Sequence, residues 1–426
     1  MTDAPRELDI VLFGATGFVG RLTAAHLAEH APAGMRIGLA GRSRERLEAV
    51  RTELGWAAAD WPVIVLDALD DGAAADLAAR ARVVVTTVGP YAKLGRALVA
   101  ACAAAGTHYC DLTGEVLFVH RSVAAHHERA LLSGATVVHA CGFDSVPSDL
   151  GVLLCADAAR ADGAELGPTR LAVRSMKGGF SGGTIDSART QALEMRADPT
   201  TRRIVADPWA LAEGGRPQRP ARVAAPRRGG VAALVRRVTT VSPVRRDPDN
   251  GHFTGPFVMA AFNTRIVARS ASLLGYGSGF RYTEYSDYGS GPKGALTAGV
   301  VSAGLIAGVA GMGLRPTRAV LDRILPAPGE GPSEDAMRAG RFRMVVTASA
   351  TNGARYRATV AAPYDPGYSG TAIMLGQSAL ALAQGDAGLP DVAGVLTPAT
   401  ALGMPLVHRL RAHGFTLEVE RLPATG

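Results

Sequence analysis

Three glycines spaced three apart, Gly14, Gly17 and Gly20, sit in the run L-D-I-V-L-F-G-A-T-G-F-V-G, after an apolar stretch and before an Ala- and Leu-rich one. A strand that turns sharply into a helix uses this pattern to hold a dinucleotide. The first glycine permits the turn, the second lets the backbone approach a pyrophosphate, and the third lets the helix pack on the strand. The first N–H groups of that helix then face the phosphates from the positive end of its dipole. The next apolar run ends I-G-L-A-G-R-S-R, placing Arg42, Ser43 and Arg44 where an NAD-preferring site carries an acid for the ribose 2′-hydroxyl. Arg42 can instead pair bidentately with a 2′-phosphate and Ser43 can donate to it, so NADPH is the expected cofactor. Arg44 and Arg46 read as a solvated helix face. Asp67, after the third run, is placed to meet the adenine amino group.

Three further loops follow strand ends on the same edge: T-T-V-G-P-Y-A (86–92), C-D-L-T-G-E (110–115) and A-C-G-F-D-S-V-P-S-D (140–149). Gly89 and Pro90 would press rigid backbone against the nicotinamide half of the cofactor. Reduction of a polarised double bond needs a hydride and a nearby proton donor. Tyr91 leads the donor candidates, followed by Tyr109 and Asp111. Asp111 and Asp144 fit equally well as helix caps or loop braces, as do Ser145 and Ser148. The turn Ser181-Gly182-Gly183-Thr184 either binds a carbonyl or carboxylate oxygen or simply begins a helix.

The elements that must position these residues alternate through the first 150 residues. Strand-like runs at 8–13, 36–40, 62–66, 83–88, 108–112 and 136–140 are separated by helical stretches at 20–29, 44–54, 73–81, 95–105 and 122–132. Such alternation predicts βαβ units and a doubly wound parallel sheet, the α/β dinucleotide-binding architecture. Beyond a helix at 149–161, strand-like pieces at 169–176, 257–262, 280–288, 342–350 and 356–362 recur without regular crossover helices. They predict an α+β second domain over 151–368 with a mixed or antiparallel sheet, containing a helix at 184–196. Helices at 369–384 and 399–413 and a strand at 416–421 close the chain, with the helices over 369–413 packing back on the first domain.

Composition narrows the class. The 426 residues are 47% hydrophobic but only 5% aromatic, so the core must be built from aliphatic and small side chains. The net charge of +7 is concentrated, with nine arginines and no acid between 216 and 246, and no nucleic-acid-binding signature accompanies it. Cys102, Cys110, Cys141 and Cys155 form no C-x-x-C pair and read as reduced core residues, so no metal site is expected. The polar N-terminus carries no signal peptide, which predicts a cytoplasmic protein. The stretch 294–314 lacks any charge and matches the length of a membrane span, but its Gly and Ala content favours a buried or surface-inserted helix. The arginine stretch reads as a solvated loop or as a dock for an acidic carrier-protein domain or an anionic lipid surface.

The runs D-I-V-L-F-G-A-T-G-F-V-G, L-A-G-R-S-R-E-R-L, V-V-T-T-V-G-P-Y, Y-C-D-L-T-G-E and H-A-C-G-F-D-S-V-P-S-D-L together resemble the saccharopine dehydrogenase-like oxidoreductases, in particular the trans-acting enoyl reductases. The segments 255–270, 280–285 and 394–403 extend the resemblance over most of the chain. It implies an N-terminal Rossmann domain, nucleotide contacts from Gly14, Thr16, Gly17, Phe18, Val19, Gly20, Arg42 and Ser43, and reduction of an enoyl intermediate for a polyketide synthase that lacks its own reductase. The implied setting is assembly of long-chain envelope lipids. The expected partners are a carrier-bound acyl substrate and the synthase, with a peripheral contact at the inner face of the plasma membrane and a second copy of the chain as further expectations. Two other readings stay open. One is a saccharopine-type imine reductase whose cationic clamps would be Arg174 and Arg265; the other is a non-catalytic NADPH-binding protein at a lipid surface.

Overall fold

The computed structural model describes residues 6–178, 182–215, 244–247, 249–311 and 331–423. Six strands come from the first 140 residues: β1 (Leu8–Phe13), β2 (Ile37–Gly41), β3 (Val63–Val65), β4 (Ala81–Thr86), β5 (His108–Asp111) and β6 (Thr136–Val138). Ile10, Val11 and Leu12 on β1 and Val83, Val84 and Val85 on β4 are all 0% exposed. Continuous apolar burial of this kind belongs to a parallel sheet covered by helices on both faces. All pairs here are parallel, with Leu12 opposite Leu39 on one side and Val85 on the other. The order is β13-β6-β5-β4-β1-β2-β3, in which β13 (Gly394–Leu396) is supplied by the far end of the chain. Strand order reverses between β1 and β4, and the crevice beyond their C-terminal ends is where open α/β sheets bind ligands.

A second seven-stranded sheet has the order β14-β12-β11-β7-β10-β9-β8. Its strands are β7 (Leu166–Lys177), β8 (Arg245–Arg246), β9 (Phe253–Pro256), β10 (Arg281–Asp287), β11 (Arg341–Ala350), β12 (Arg355–Ala362) and β14 (Thr416–Leu422). Only β7 and β10 pair in parallel, so the sheet is mixed, as the irregular strand spacing predicts. The helix Val146–Ala161 leaves the first sheet and packs under the second, where Gly151 makes room for Val346 and Val360. The helix Ser369–Gln384 returns to the first sheet, lying along the helix Phe18–His30 and against β1, β4 and β5.

Two sequence expectations change, and a third is given its geometry. The apolar run 257–262 is not a strand: β9 ends at Pro256, and Phe262 already lies in the helix Ala260–Leu274. The expected helix 399–413 is two, Pro398–Ala401 and Gly403–Ala412, broken where Gly403 takes a positive φ of 49°. The uncharged stretch forms the helix Gly291–Gly311, which turns Gly294, Ala298 and Ser302 inward; Gly255 of β9 packs so close that a Cβ there would lie 2.6 Å from Ser302 Oγ. Its other side exposes Leu296, Val300 and Val301. Among the described residues no helix is long and apolar enough to cross a membrane. Most of 216–246 and Ser181 lie outside the described residues. All four cysteines are free and buried.

Candidate active site at the carboxyl edge of the parallel sheet

The glycine turn is shaped by close contacts. Gly14 has φ 93°, and a Cβ there would meet Thr87 Oγ1 and Val88 Cγ2 at 2.7 Å. A Cβ on Gly20 would fall 2.1 Å from the Gly14 carbonyl oxygen, so the helix Phe18–His30 rests directly on the turn. Gly17 differs: it has ordinary extended geometry, and a Cβ would meet only the Gly14 oxygen, at 3.4 Å. Its outer side is open. Gly17 is also the N-cap and offers no side-chain cap, which leaves the first N–H groups of the helix for a ligand. Thr16, Phe18 and Val19 are half-buried around it, and the Phe18 ring is turned edge-on to Tyr368 at 5.0 Å.

After β2, Arg42 is exposed and has no ion-pair or hydrogen-bond partner among the described residues. Ser43 caps the next helix by accepting from Arg46 N at 3.3 Å. Arg46 is not merely a solvated face, since its guanidinium reaches the Thr16 carbonyl oxygen at 3.5 Å. Arg44 pairs with Glu48 at 3.7 Å. Asp67 is exposed and accepts from Leu69 N at 3.0 Å, closing a turn beyond β3. Gly89 is exposed and Pro90, joined to it by a cis peptide bond, is half-buried on the rim beyond β4.

Tyr91, Tyr109 and Asp111 are brought together beneath this rim, not on its surface. Tyr91 is 4% exposed and the other two 0%. The Tyr91 hydroxyl donates to Thr86 O at 3.1 Å and accepts from Leu112 N at 3.2 Å, joining the ends of β4 and β5. Tyr109 Oη donates to Asp111 Oδ2 at 3.1 Å, and His139 Nδ1 donates to the same oxygen at 2.6 Å. Asp111 Oδ1 accepts from Thr113 N and Ala140 N, both at 3.0 Å. With Asp111 as acceptor, the His139 Nε2 lone pair takes the Ser122 hydroxyl at 2.8 Å. Burial holds both phenols protonated well above their usual range.

Sequence reasoning passed over Glu115 and His139, and read Asp144 only as a cap or brace; the geometry brings all three forward. Glu115 is 2% exposed and accepts from Tyr91 N, Ala92 N and Ser187 Oγ at 2.7–2.8 Å, tying the loops after β4 and β5 to the helix Gly182–Ala197. Desolvation raises its pKa against the pull of those bonds. His139 completes the Asp111 chain. Asp144 stands on the loop after β6, partly exposed and without a hydrogen-bond partner among the described residues. Ala140 leads into that loop with φ 63°, a left-handed conformation held by the Asp111–Ala140 bond. Desolvation alone pushes the Asp144 carboxyl up to about 7. The D-S-V-P-S-D run was the available signal; the raised pKa comes from burial, which the sequence does not record.

Ser145 holds the N-cap position of the helix Val146–Ala161 but makes no side-chain cap bond, and Ser148 lies inside that helix. Ser145 Oγ donates to Asn263 Oδ1 at 3.1 Å, and Asn263 Nδ2 donates to Ser148 Oγ at 3.2 Å and to Glu284 Oε2 at 3.1 Å. Tyr282 donates to the other Glu284 oxygen at 2.7 Å. This buried network braces the Asp144 loop from the second sheet, and burial lifts Glu284 to about 7. Both clamps of the imine-reductase reading are engaged elsewhere. Arg174 pairs with Asp287, and the two terminal nitrogens of Arg265 donate to the carbonyls of Ala261 and Val205, leaving its buried Nε without a partner among the described residues.

Residues 10–138 match the family model of the saccharopine dehydrogenase NADP-binding domain. A Mycobacterium tuberculosis relative is 47% identical over 430 residues, covering 99% of this chain and all of its own length. A second relative from that organism, named trans-acting enoyl reductase, is 44% identical over 431 residues with the same coverage. A Mycobacterium ulcerans protein of the same name is 43% identical over 432 residues, again covering 99% of this chain and all of its own. Among solved structures, the L-glutamate-forming saccharopine dehydrogenase of Saccharomyces cerevisiae matches 97% of this chain and 99% of its own, with a TM-score of 0.53 at 14% identity. That likeness shows a shared fold.

Proposed function

We propose, from the premise that this chain belongs to the trans-acting enoyl reductase family, that it reduces the α,β-double bond of an acyl intermediate built by a separate polyketide synthase. The chain is an NADP(H)-dependent oxidoreductase acting on enoyl groups. Full-length identity of 44–47% to that family is the observation that carries the reading. The cofactor fits what is present: a turn that excludes side chains at Gly14 and Gly20, an open approach at Gly17, and an Arg42 with no partner among the described residues. Gly14, Thr16, Gly17, Phe18, Val19 and Gly20 would hold the pyrophosphate, Arg42 and Ser43 the 2′-phosphate, and Asp67 the adenine. Gly89 and Pro90 would wall the nicotinamide. When bound, NADPH supplies a hydride.

Saturating the double bond also needs a proton at the α-carbon. We assign that proton to Asp144, which meets three requirements: a place at the sheet edge, a carboxyl without a partner among the described residues and a pKa of about 7. Tyr91 and the Tyr109–Asp111–His139 chain then act as positioning groups beneath it, because their polar atoms are already committed. The acyl chain would arrive on an acidic carrier-protein domain drawn by the basic stretch 216–246, in a lipid-building sequence, and the exposed ridge Leu296, Val300 and Val301 supports contact with acyl chains or a membrane surface.

The test is cofactor consumption by the purified chain with an α,β-unsaturated acyl thioester. Parallel samples hold the saturated thioester, a lysine and oxo-acid mixture, and NADH in place of NADPH. Consumption confined to NADPH with the unsaturated thioester is the expected result. Consumption with the amino-acid mixture would move the chain to imine reduction, and silence throughout would favour a binding protein without turnover.

A further inference from the structure

Away from the cleft, three imidazoles converge where the two ends of the chain meet. His26 and His30 stand one turn apart at the end of the helix Phe18–His30, and His413 follows the helix Gly403–Ala412. One ring nitrogen from each lies within 4.8 Å of the others, with ring centroids 4.5–5.2 Å apart. His413 Nδ1 donates to the Arg409 carbonyl at 2.8 Å, which fixes the tautomer and leaves Nε2 as a lone pair, the second-contact pattern of a metal-bound histidine. The Gln377 carboxamide sits at the focus, its nitrogen 2.8 Å from His26 Nε2 and 3.1 Å from His413 Nε2. The Gln377 oxygen accepts from Arg409, whose charge is met by Asp386, so no unpaired cation faces the rings. His26 is buried, so a ligand held there would be shielded from water on its side.

We propose that His26, His30 and His413 form a binding site for a borderline divalent cation, Zn²⁺ above all, that staples the first helix to the C-terminal helices. Tetrahedral zinc with Zn–N of ~2.0–2.1 Å needs ligand nitrogens roughly 3.4 Å apart, a closure that side-chain rotation supplies. A flip of the Gln377 amide turns its oxygen toward the same point as a fourth ligand, while Arg409 keeps Asp386. Cysteine spacing gave no hint of this site, because the ligands are histidines whose third member is nearly four hundred residues away.

Tag-free, chelator-treated full-length protein is titrated with Co²⁺, followed by visible absorption, and with Zn²⁺, followed by calorimetry and thermal melting. The expected result is one equivalent bound, the strong bands of four-coordinate Co²⁺, and a rise in Tm on adding Zn²⁺. His30 is exposed, so His30→Ala should fold; it and His413→Ala should weaken binding by more than the roughly 10–100-fold that loss of an outer partner costs. Gln377→Glu should tighten binding by adding a carboxylate ligand. NADPH affinity should be unchanged in His30→Ala, since His30 lies about 20 Å along the helix from Gly17. Absence of saturable binding, or equal binding by the wild type and both histidine variants, would overturn the proposal.

Discussion

Gly17→Ala separates the ligand-binding role of the glycine turn from its structural role. At Gly17 the backbone is already extended, φ −75° and ψ 165°, and a methyl would make one ordinary contact with the Gly14 oxygen at 3.4 Å. Reduced unfolded-state entropy stabilises such a change by about 0.4–1 kcal/mol. Alanine is a poorer N-cap than glycine by about the same amount, so the two effects nearly cancel. Stability should therefore hold, with Tm shifted by no more than about 3 °C. The methyl would, however, stand where the pyrophosphate meets the helix N–H groups. Losing one charge-assisted hydrogen bond costs about 1.5–3 kcal/mol, so NADPH should bind about 10–100-fold more weakly. Gly20→Ala is the contrast, because its Cβ would meet Gly14 O at 2.1 Å, Gly14 C at 2.9 Å and Ala15 Cα at 3.0 Å, all main chain. Overpacking of that kind costs about 1–3 kcal/mol or more, so stability and affinity should fall together. Fluorescence titration with NADPH beside thermal melting reads both. Wild-type affinity in Gly17→Ala, or a loss of stability matching Gly20→Ala, would refute the reasoning.

Arg42→Ala should weaken NADPH about 10-fold or more, one charged hydrogen bond or so, and leave NADH affinity unchanged in the same titration. With Asp144 as donor, the rate with NADPH and enoyl thioester should fall as pH rises through about 7, where its carboxyl ionises. Asp144→Asn should remove that limb and about 10²–10⁴-fold of the rate. Tyr91→Phe should retain the limb and mainly lower Tm, by stranding the Leu112 N–H; a Tyr91→Phe enzyme that lost the limb instead would return the donor role to the phenol. Glu284 is raised to about 7 from a usual 4.5, so the folded state holds its proton after the unfolded state has lost it. Its ionisation therefore removes stability as pH climbs from about 4.5 to about 7, and Glu284→Gln should melt progressively higher than the wild type across that window.

The parallel sheet was readable because β1 and β4 are buried on both faces and so carry unbroken β-branched runs. The glycine turn and Arg42 were readable because the chemistry lies within a few consecutive residues. The run 257–262 was misread as strand since a short apolar stretch has no period that distinguishes strand from helix. The buried face of the helix it enters also carries Asn263, Arg265, Arg269 and Ser270, whose partners lie elsewhere in the chain. β13 escaped notice at three residues, being recruited to the sheet edge by pairing with β6. Side-chain commitments were the least legible part. Asp111 acquires His139 from 28 residues away, Glu115 acquires Ser187 from 72, and Arg174 is claimed by Asp287, 113 residues on. No local pattern records such pairings, and it is they that turn Tyr91 and Asp111 inward while leaving Asp144 at the sheet edge.

Enoyl reduction is tested most directly by isotope transfer. The protein is incubated with NADPH carrying deuterium at the transferable C4 position and an α,β-unsaturated acyl thioester, offered both on coenzyme A and on a carrier-protein domain. Mass spectrometry then reads the product. The account predicts a saturated thioester with one deuterium at the β-carbon and a solvent-derived proton at the α-carbon. An unreduced thioester on both carriers, or deuterium delivered to a lysine and oxo-acid adduct instead, would contradict it.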